Sequence, residues 1–406
     1  MMPTPTFKCG RWRRELRFKM IGKRIRVFRN SIKMTIQMIF HKPKQWRGQA
    51  PCHYSIRSVT VRIHQIGLLI FLLLLSSTAH ARIVFSSTRG GVKGIYVMND
   101  DGTNETLLTE SEELRPHPNS WSPDGKMILY QSRVNWKSNS VLFLMNPDGT
   151  NVRQLTENDG STITYASFSP DGKSIVFDRD IVKNNKLKFS ITVMNIKTGK
   201  MKIIADMPAT ACDWSPDGRH IIFSQGMFVG GRGGTIWKIG SDGQNPRQLI
   251  PNPDVGRVSI HRTSPRWSPD GKKIVYIHRE YTWDPIPGVG TALIYHAHYY
   301  MVCDANGGNI SKLGIPKDWE GLDIDWMDDG ESVVLSAYVG LPLGELPPPF
   351  EEFPPCNIYR YHIETGEITR LTNHPGRDET LDWISDDVLS VTPAGKKKTQ
   401  WGNEKK

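Results

Sequence analysis

Trp121–Lys126 reads WSPDGK, and the hexapeptide returns as FSPDGK at Phe168–Lys173, WSPDGR at Trp214–Arg219 and WSPDGK at Trp267–Lys272. Two more divergent copies follow, WMDDGE at Trp326–Glu331 and WISDDV at Trp383–Val388. The six starts are 47, 46, 53, 59 and 57 residues apart. Proline presets φ and glycine accepts a positive φ, so SPDG is a tight turn. A turn recurring at this period among strand-like runs is the mark of a radial repeat fold, not of a duplicated catalytic motif.

The unit beginning at Tyr165 shows the order. YASF is a short first strand, KSIVFDRD a second, FSITVMN a third and MKIIAD a fourth. The third strands recur as IYVMN at Ile95, LFLMN at Leu142, IWKIG at Ile236, YYMVC at Tyr299 and IYRYH at Ile358. Four short antiparallel strands, six times over, predict an all-β fold, a six-bladed β-propeller whose blades bury their faces on one another. The aromatics Trp121, Phe168, Trp214, Trp267, Trp326 and Trp383 are then blade anchors that fill the widening space between neighbours.

Ring closure is also readable. RIVFSS at Arg82–Ser87 matches the second strands yet has no WSPDG before it, and ETLDW at Glu379–Trp383 is a first strand without a full blade after it. Pairing the C-terminal strand with the three N-terminal ones would remove the open edges. VLSV at Val388–Val391 competes as a second strand.

These repeats resemble the TolB-like propeller family, whose blades carry WSPDG(K/R)-x-I-x-F followed by an IYVMN-DG-xxRxLT run. Trp121–Tyr130, Phe168–Phe177, Trp214–Phe223 and Trp267–Tyr276 match well, Trp326–Leu335 and Trp383–Val391 loosely, within a span of Arg82–Val391. The resemblance implies the fold. TolB itself is periplasmic, with an extra α/β domain ahead of its propeller; here the propeller directly follows the leader, so that domain is expected to be absent and no Pal-contacting residues carry over. Prolyl oligopeptidase-like enzymes share a related propeller but need a G-x-S-x-G elbow, and the chain contains none. Oligogalacturonate lyase is a third relative, holding a metal through histidines and a glutamine; here HAH at His296–His298 could set two imidazoles on one side of a strand.

The formal net charge is +11, but residues 1–81 hold 16 Lys and Arg against the single acid Glu15. The rest has 36 basic and 40 acidic residues and no footprint for nucleic acid. Residues 66–81, IGLLIFLLLLSSTAHA, carry an apolar core too short for a membrane span, flanked by Arg57 and Arg62 and ending in Ala79-His80-Ala81. That is the plan of a signal peptide and implies export to a periplasmic or extracellular space, with no stable transmembrane span after cleavage. Residues 1–65 are a basic extension, disordered or untranslated, with Val59 or Val61 as alternative starts; 82–395 are the propeller and 396–406 a basic tail. Cys212, Cys303 and Cys356 read as buried single thiols, with a Cys303–Cys356 bridge left open.

Two repeats are lengthened between their second and third strands. Repeat four inserts His278–His298, and repeat five inserts Tyr338–Asn357, which includes PPPFEEFPP; Ser224–Thr235 is a shorter glycine-rich insertion in repeat three. Equivalent connections emerge on one face, so a recognition rim is expected there, with Tyr281, Trp283, His296, His298, Phe350 and Phe353 as binding residues. Along each first strand the residue before the aromatic should face the central channel: Ser120, Ser167, Asp213, Arg266, Asp325 and Asp382. Their charges suit a Ca²⁺ ion, or waters and salt bridges from Arg266. The expected function is that of a monomeric, non-catalytic binding or scaffold propeller for an envelope protein or small ligand, the alternative being a metal-dependent, carbohydrate-active propeller enzyme.

Overall fold

The computed structural model describes residues 82–385, apart from 134–138, 227–233, 252–255, 287–289 and 328, together with Val388. The leader, most of VLSV, the end of the predicted propeller and the basic tail lie outside the described residues. Six four-stranded antiparallel sheets form the ring. Numbered by their hexapeptides, blade one comprises His117–Trp121, Ile128–Arg133, Ser140–Met145 and Arg153–Gln154. Blade two comprises Ala166–Phe168, Ser174–Lys183, Lys186–Asn195 and Met201–Ala205. Blade three comprises Ala209–Trp214, His220–Gln225, Thr235–Gly240 and Arg247–Ile250. Blade four comprises Ser259–Trp267, Lys273–Ile286, Gly290–Asp304 and Ser311–Lys312, and blade five Trp319–Trp326, Ser332–Val339, Cys356–His362 and Ile368–Arg370.

Blade six closes the ring. Asp378–Ile384 pairs antiparallel with Arg82–Ser87, which continues into Gly94–Asn99 and Thr106–Glu110. Arg82–Ser87 therefore occupies the place for which VLSV competed, and Val388 packs against the blade six–blade one core.

The hexapeptide is a hydrogen-bonded unit. Ser122 Oγ donates to Asp124 Oδ1 at 2.7 Å, the Gly125 N–H donates to Ser122 O at 2.8 Å, and the Met127 N–H donates to Ser122 Oγ at 2.9 Å. Ser169–Asp171, Ser215–Asp217 and Ser268–Asp270 repeat the side-chain bond at 2.6–2.7 Å. Asp270 is held down to about 2, chiefly because the Lys272 N–H donates to it. Serine is thus as much a part of the turn as proline and glycine.

The apolar core is divided among the blade interfaces. Leu129, Leu142 and Leu144 of blade one meet Phe168, Ile175 and Phe177 of blade two. Ile222 and Ile236 of blade three meet Trp267, Ile274 and Tyr276 of blade four, and Val275, Ile277 and Tyr300 meet Trp326, Val333 and Leu335 of blade five. Trp121 sits between blades six and one, while Trp214 and Trp383 pack half-buried at the edges of their clusters. The turns between third and fourth strands also touch the preceding blade. Gly307 has φ 88°, and a Cβ built there would lie 2.4 Å from Leu249 O, so only glycine fits.

The three body cysteines are free and buried, which settles against the Cys303–Cys356 bridge; Cys356 Sγ donates to Asp378 O at 3.2 Å. Among the described residues no helix is long and apolar enough to cross a membrane.

Candidate functional site: the channel and the rim

The innermost strand of a blade has no sheet partner on its channel side, so its inward N–H groups need acceptors. The residue before each aromatic supplies several of them across a blade boundary. Asp382 Oδ2 accepts from the Trp121 N–H at 2.6 Å, Ser120 Oγ from the Phe168 N–H at 3.3 Å, and Asp213 Oδ2 from the Trp267 N–H at 3.0 Å. Asp325 Oδ1 accepts from the N–H of its own blade's Trp326 at 2.8 Å. Ser120, Ser167, Asp213, Arg266, Asp325 and Asp382 all line one cavity of about 190 Å³ within the ring. Trp121, Pro123, Asp325 and Trp383 connect it with an outer cleft of about 260 Å³ among the hexapeptide turns.

Two further carboxylates join this cluster, Asp178 and Asp323. Asp323 receives the Arg266 guanidinium at 3.3 Å and accepts from the Leu381 N–H at 3.2 Å and the Ile324 N–H at 3.1 Å. Asp178 accepts from the Tyr165 N–H at 2.9 Å and from the Thr164 hydroxyl. Burial pushes Asp178 and Asp325 up to about 7 and Asp213 up to about 6. Asp382 is raised well above the usual carboxylate range, by burial and then by the negative charge of the neighbouring Asp325. Two buried carboxyl groups side by side disfavour ionising together, so this pair holds a proton more readily than a solvated carboxylate does. The cluster is thus balanced by Arg266 and by bound protons.

Arg266 keeps its charge, for Asp323 and Asp213 outweigh its burial, and its guanidinium lies 6.0 Å from the centre of the Tyr165 ring. Asp323 and Tyr165 were detectable: they lie three residues before Trp326 and Phe168, where strand alternation brings back the face of the residue directly before the aromatic. Asp178 comes from a second strand, and nothing in its local sequence points inward.

The rim differs from loops carrying exposed aromatics. The repeat-four insertion is mostly a ribbon in which Lys273–Ile286 and Gly290–Asp304 pair along their length, since EYTW and TALIY alternate strand-forming residues. Trp283 is 41% exposed on this ribbon, whereas Tyr281 is 1% exposed and supports it, with ring centres 6.5 Å apart in a T-shaped contact. Tyr281 makes a second edge contact with Tyr295. His296 is the extra residue of a bulge opposite Glu280 and Tyr281. The bulge separates the HAH imidazoles: His296 Nε2 meets Thr282 Oγ1 at 2.8 Å, while His298 packs 4.7 Å from the Tyr295 ring, 1% exposed. Burial lowers His298 to about 3. Among the described residues no three His, Cys, Asp or Glu side chains converge as metal ligands.

In blade five, Phe353 lies half-buried against Tyr338, ring centres 5.3 Å apart, and beside Leu341. Phe350 opens the 3-10 turn Phe350–Glu352; its side chain lies outside the described residues. Residues 227–233 of the repeat-three insertion lie outside them too. A hydrogen bond from the Gly344 N–H to Tyr295 O, 2.7 Å, joins the insertions of blades four and five.

The family model for the TolB beta propeller domain matches residues 77–258. An uncharacterised protein of Agrobacterium fabrum is 24% identical over 204 residues; the match covers 49% of this chain and 56% of that protein, so the chain spans little more than half of its relative's length. Among solved structures, TolB from Acinetobacter baumannii aligns with a TM-score of 0.57 at 18% identity, covering 79% of this chain and 72% of that one. A chain of a nidogen–laminin complex aligns at 0.53 and 9%, covering 75% of this chain and 98% of that one, and Kuenenia stuttgartiensis hydrazine synthase at 0.55 and 14%, covering 75% and 47%. The described residues thus form a six-bladed β-propeller closed within blade six, and residues 77–258 of the chain match the TolB beta propeller domain.

Proposed function

We propose that this propeller is an exported, non-catalytic binding module, acting as a monomer in the periplasm or outside the cell, that captures a protein of the cell envelope on the face bearing the insertions of blades four and five. The observation that carries the reading is Trp283. A large exposed aromatic, held from below by Tyr281 and projected on a paired ribbon, has little conformational freedom to lose when a partner covers it, and such residues dominate interface energetics. The channel chemistry points the same way. Asp213 and Asp382 cap the backbones of neighbouring blades and Asp325 that of its own blade, so these carboxylates are already engaged in holding the ring.

The test replaces Trp283–Leu293 with a short glycine-containing turn, leaving Tyr281 in place. The melting temperature is expected to stay unchanged while capture of an envelope protein by the immobilised propeller is lost. Trp283→Ala alone should weaken capture by about 2 kcal/mol or more. Undiminished capture by the trimmed protein would refute the reading.

A further inference from the structure

Blade two carries a second long hairpin, which the repeat-to-repeat comparison does not single out. Ser174–Lys183 and Lys186–Asn195 pair in register to the tip, where Asn184 and Asn185 take φ of 52° and 56°. Two consecutive left-handed residues make the type I′ turn that suits a two-residue β-hairpin. Residues 182–188, VKNNKLK, are all exposed, so each arm stands about 10 Å clear at about 3.3 Å per residue.

Strand alternation divides this tip into two faces. Val182 and Leu187 are directly paired, 65% and 48% exposed, with half-buried Phe189 next on the same side. The opposite side presents Lys183, Lys186 and Lys188. None of these lysines forms an ion pair with a described residue. Lys183 and Lys186 stand directly opposite each other, an arrangement of like charges that disfavours the free hairpin.

We propose that this hairpin docks the propeller on an anionic lipid surface. The apolar face would enter the boundary between headgroups and acyl chains, which amphipathic elements penetrate by about 5–10 Å, well within the reach of the tip. The lysine stems would lie along the interface with their ammonium groups among the phosphates, removing the Lys183–Lys186 repulsion. Charge complementarity selects the occupant. The chain beyond residue 81 has 36 basic against 40 acidic residues, so a cationic tip on an otherwise acidic body fixes the orientation of approach. The hairpin joins second to third strand, as the rim insertions do, so lipid docking and partner capture use one face. The inference stands without the partner reading.

The experiment measures amide exchange of residues 181–189 in the full chain, a local readout unaffected by other basic segments. Vesicles of phosphatidylglycerol at low salt should slow exchange there, and vesicles of phosphatidylcholine should not. Lys183→Gln, Lys186→Gln and Lys188→Gln combined should weaken the protection about a hundredfold in lipid concentration, about fivefold for each lysine. Val182→Ser with Leu187→Ser, both exposed and without a part in the core, should abolish it. Exchange that phosphatidylglycerol leaves unchanged, equal protection by phosphatidylcholine, or protection that survives both sets of substitutions would overturn the proposal, as would slowing only in the presence of a soluble protein partner.

Discussion

Asp178→Asn should change the pH dependence of stability in a way fixed by its burial. Asp178 titrates near 7 in the folded protein, raised by burial from an ordinary 3.8. A raised carboxyl contributes stability that is fully present below about pH 4 and lost as pH rises through its folded value. About three units at 1.36 kcal/mol each is about 4 kcal/mol. The wild-type profile alone would conceal this, because His117, His261 and His298 are all lowered to about 3, chiefly by burial. Their stability is present above about pH 6.5 and lost as pH falls, opposing the carboxyls between about pH 4 and 6. The difference between variant and wild type removes the histidines. Urea unfolding across the range should show stability moving in favour of the asparagine variant by about 4 kcal/mol from about pH 4 to 7, then levelling. Asp213→Asn should show the same shape with about 3 kcal/mol, levelling near 6 because Asp213 is raised less. A pH-independent difference for both variants, or one favouring aspartate as pH rises, would refute the assignment of buried, proton-holding carboxyls.

Trp267→Ala removes the centre of the interface between blades three and four and should cost about 3–5 kcal/mol in unfolding free energy; a fully stable variant with impaired capture would make Trp267 a binding residue instead. Calcium tests the remaining occupant of the channel. With Arg266 and protons already balancing the carboxylates, melts in EDTA and in added Ca²⁺ are expected to coincide, whereas a melting temperature rising with calcium concentration would assign the ion to the cavity.

The fold was legible because its information is local and repeated. SPDG dictates a turn, the aromatic before it dictates an interface, and the orphan strands RIVFSS and ETLDW dictate where the ring closes. The channel was legible only as far as alternation was followed. The residue before each aromatic lines the cavity, and continuing two residues upstream would have added Tyr165 and Asp323. Asp178 was not legible, because its burial depends on the neighbouring Thr164–Tyr165 backbone and on nothing in its own strand. At the rim, residue type was a poor guide to exposure. Tyr281 and Trp283 share one side of their strand, but Tyr281 still pairs with Ser259 of the first strand and is buried, while Trp283 lies past that strand's end and projects. On the opposite strand the bulge at His296 breaks the alternation that would have set it beside the buried His298.

The one basic residue among the six channel positions explains the irregularity around it. In blades one, three and six the residue before the aromatic accepts a hydrogen bond from the next blade's aromatic N–H. Blade four places Arg266 there, and a guanidinium cannot accept. The next N–H, that of Trp326, is therefore capped within its own blade by Asp325, and Trp326 answers with its indole Nε1, which donates to Arg266 O at 3.2 Å. Asp325 is thereby turned toward its own strand, and the boundary with blade six is bridged from two residues upstream, where Asp323 accepts from Leu381. Asp323 is in turn the carboxylate that holds Arg266. A single exchange of acceptor for donor at Arg266 thus draws in the two acids of the following blade, so the clustering of charge at this arc of the channel follows from the closure of the ring before any ligand is invoked.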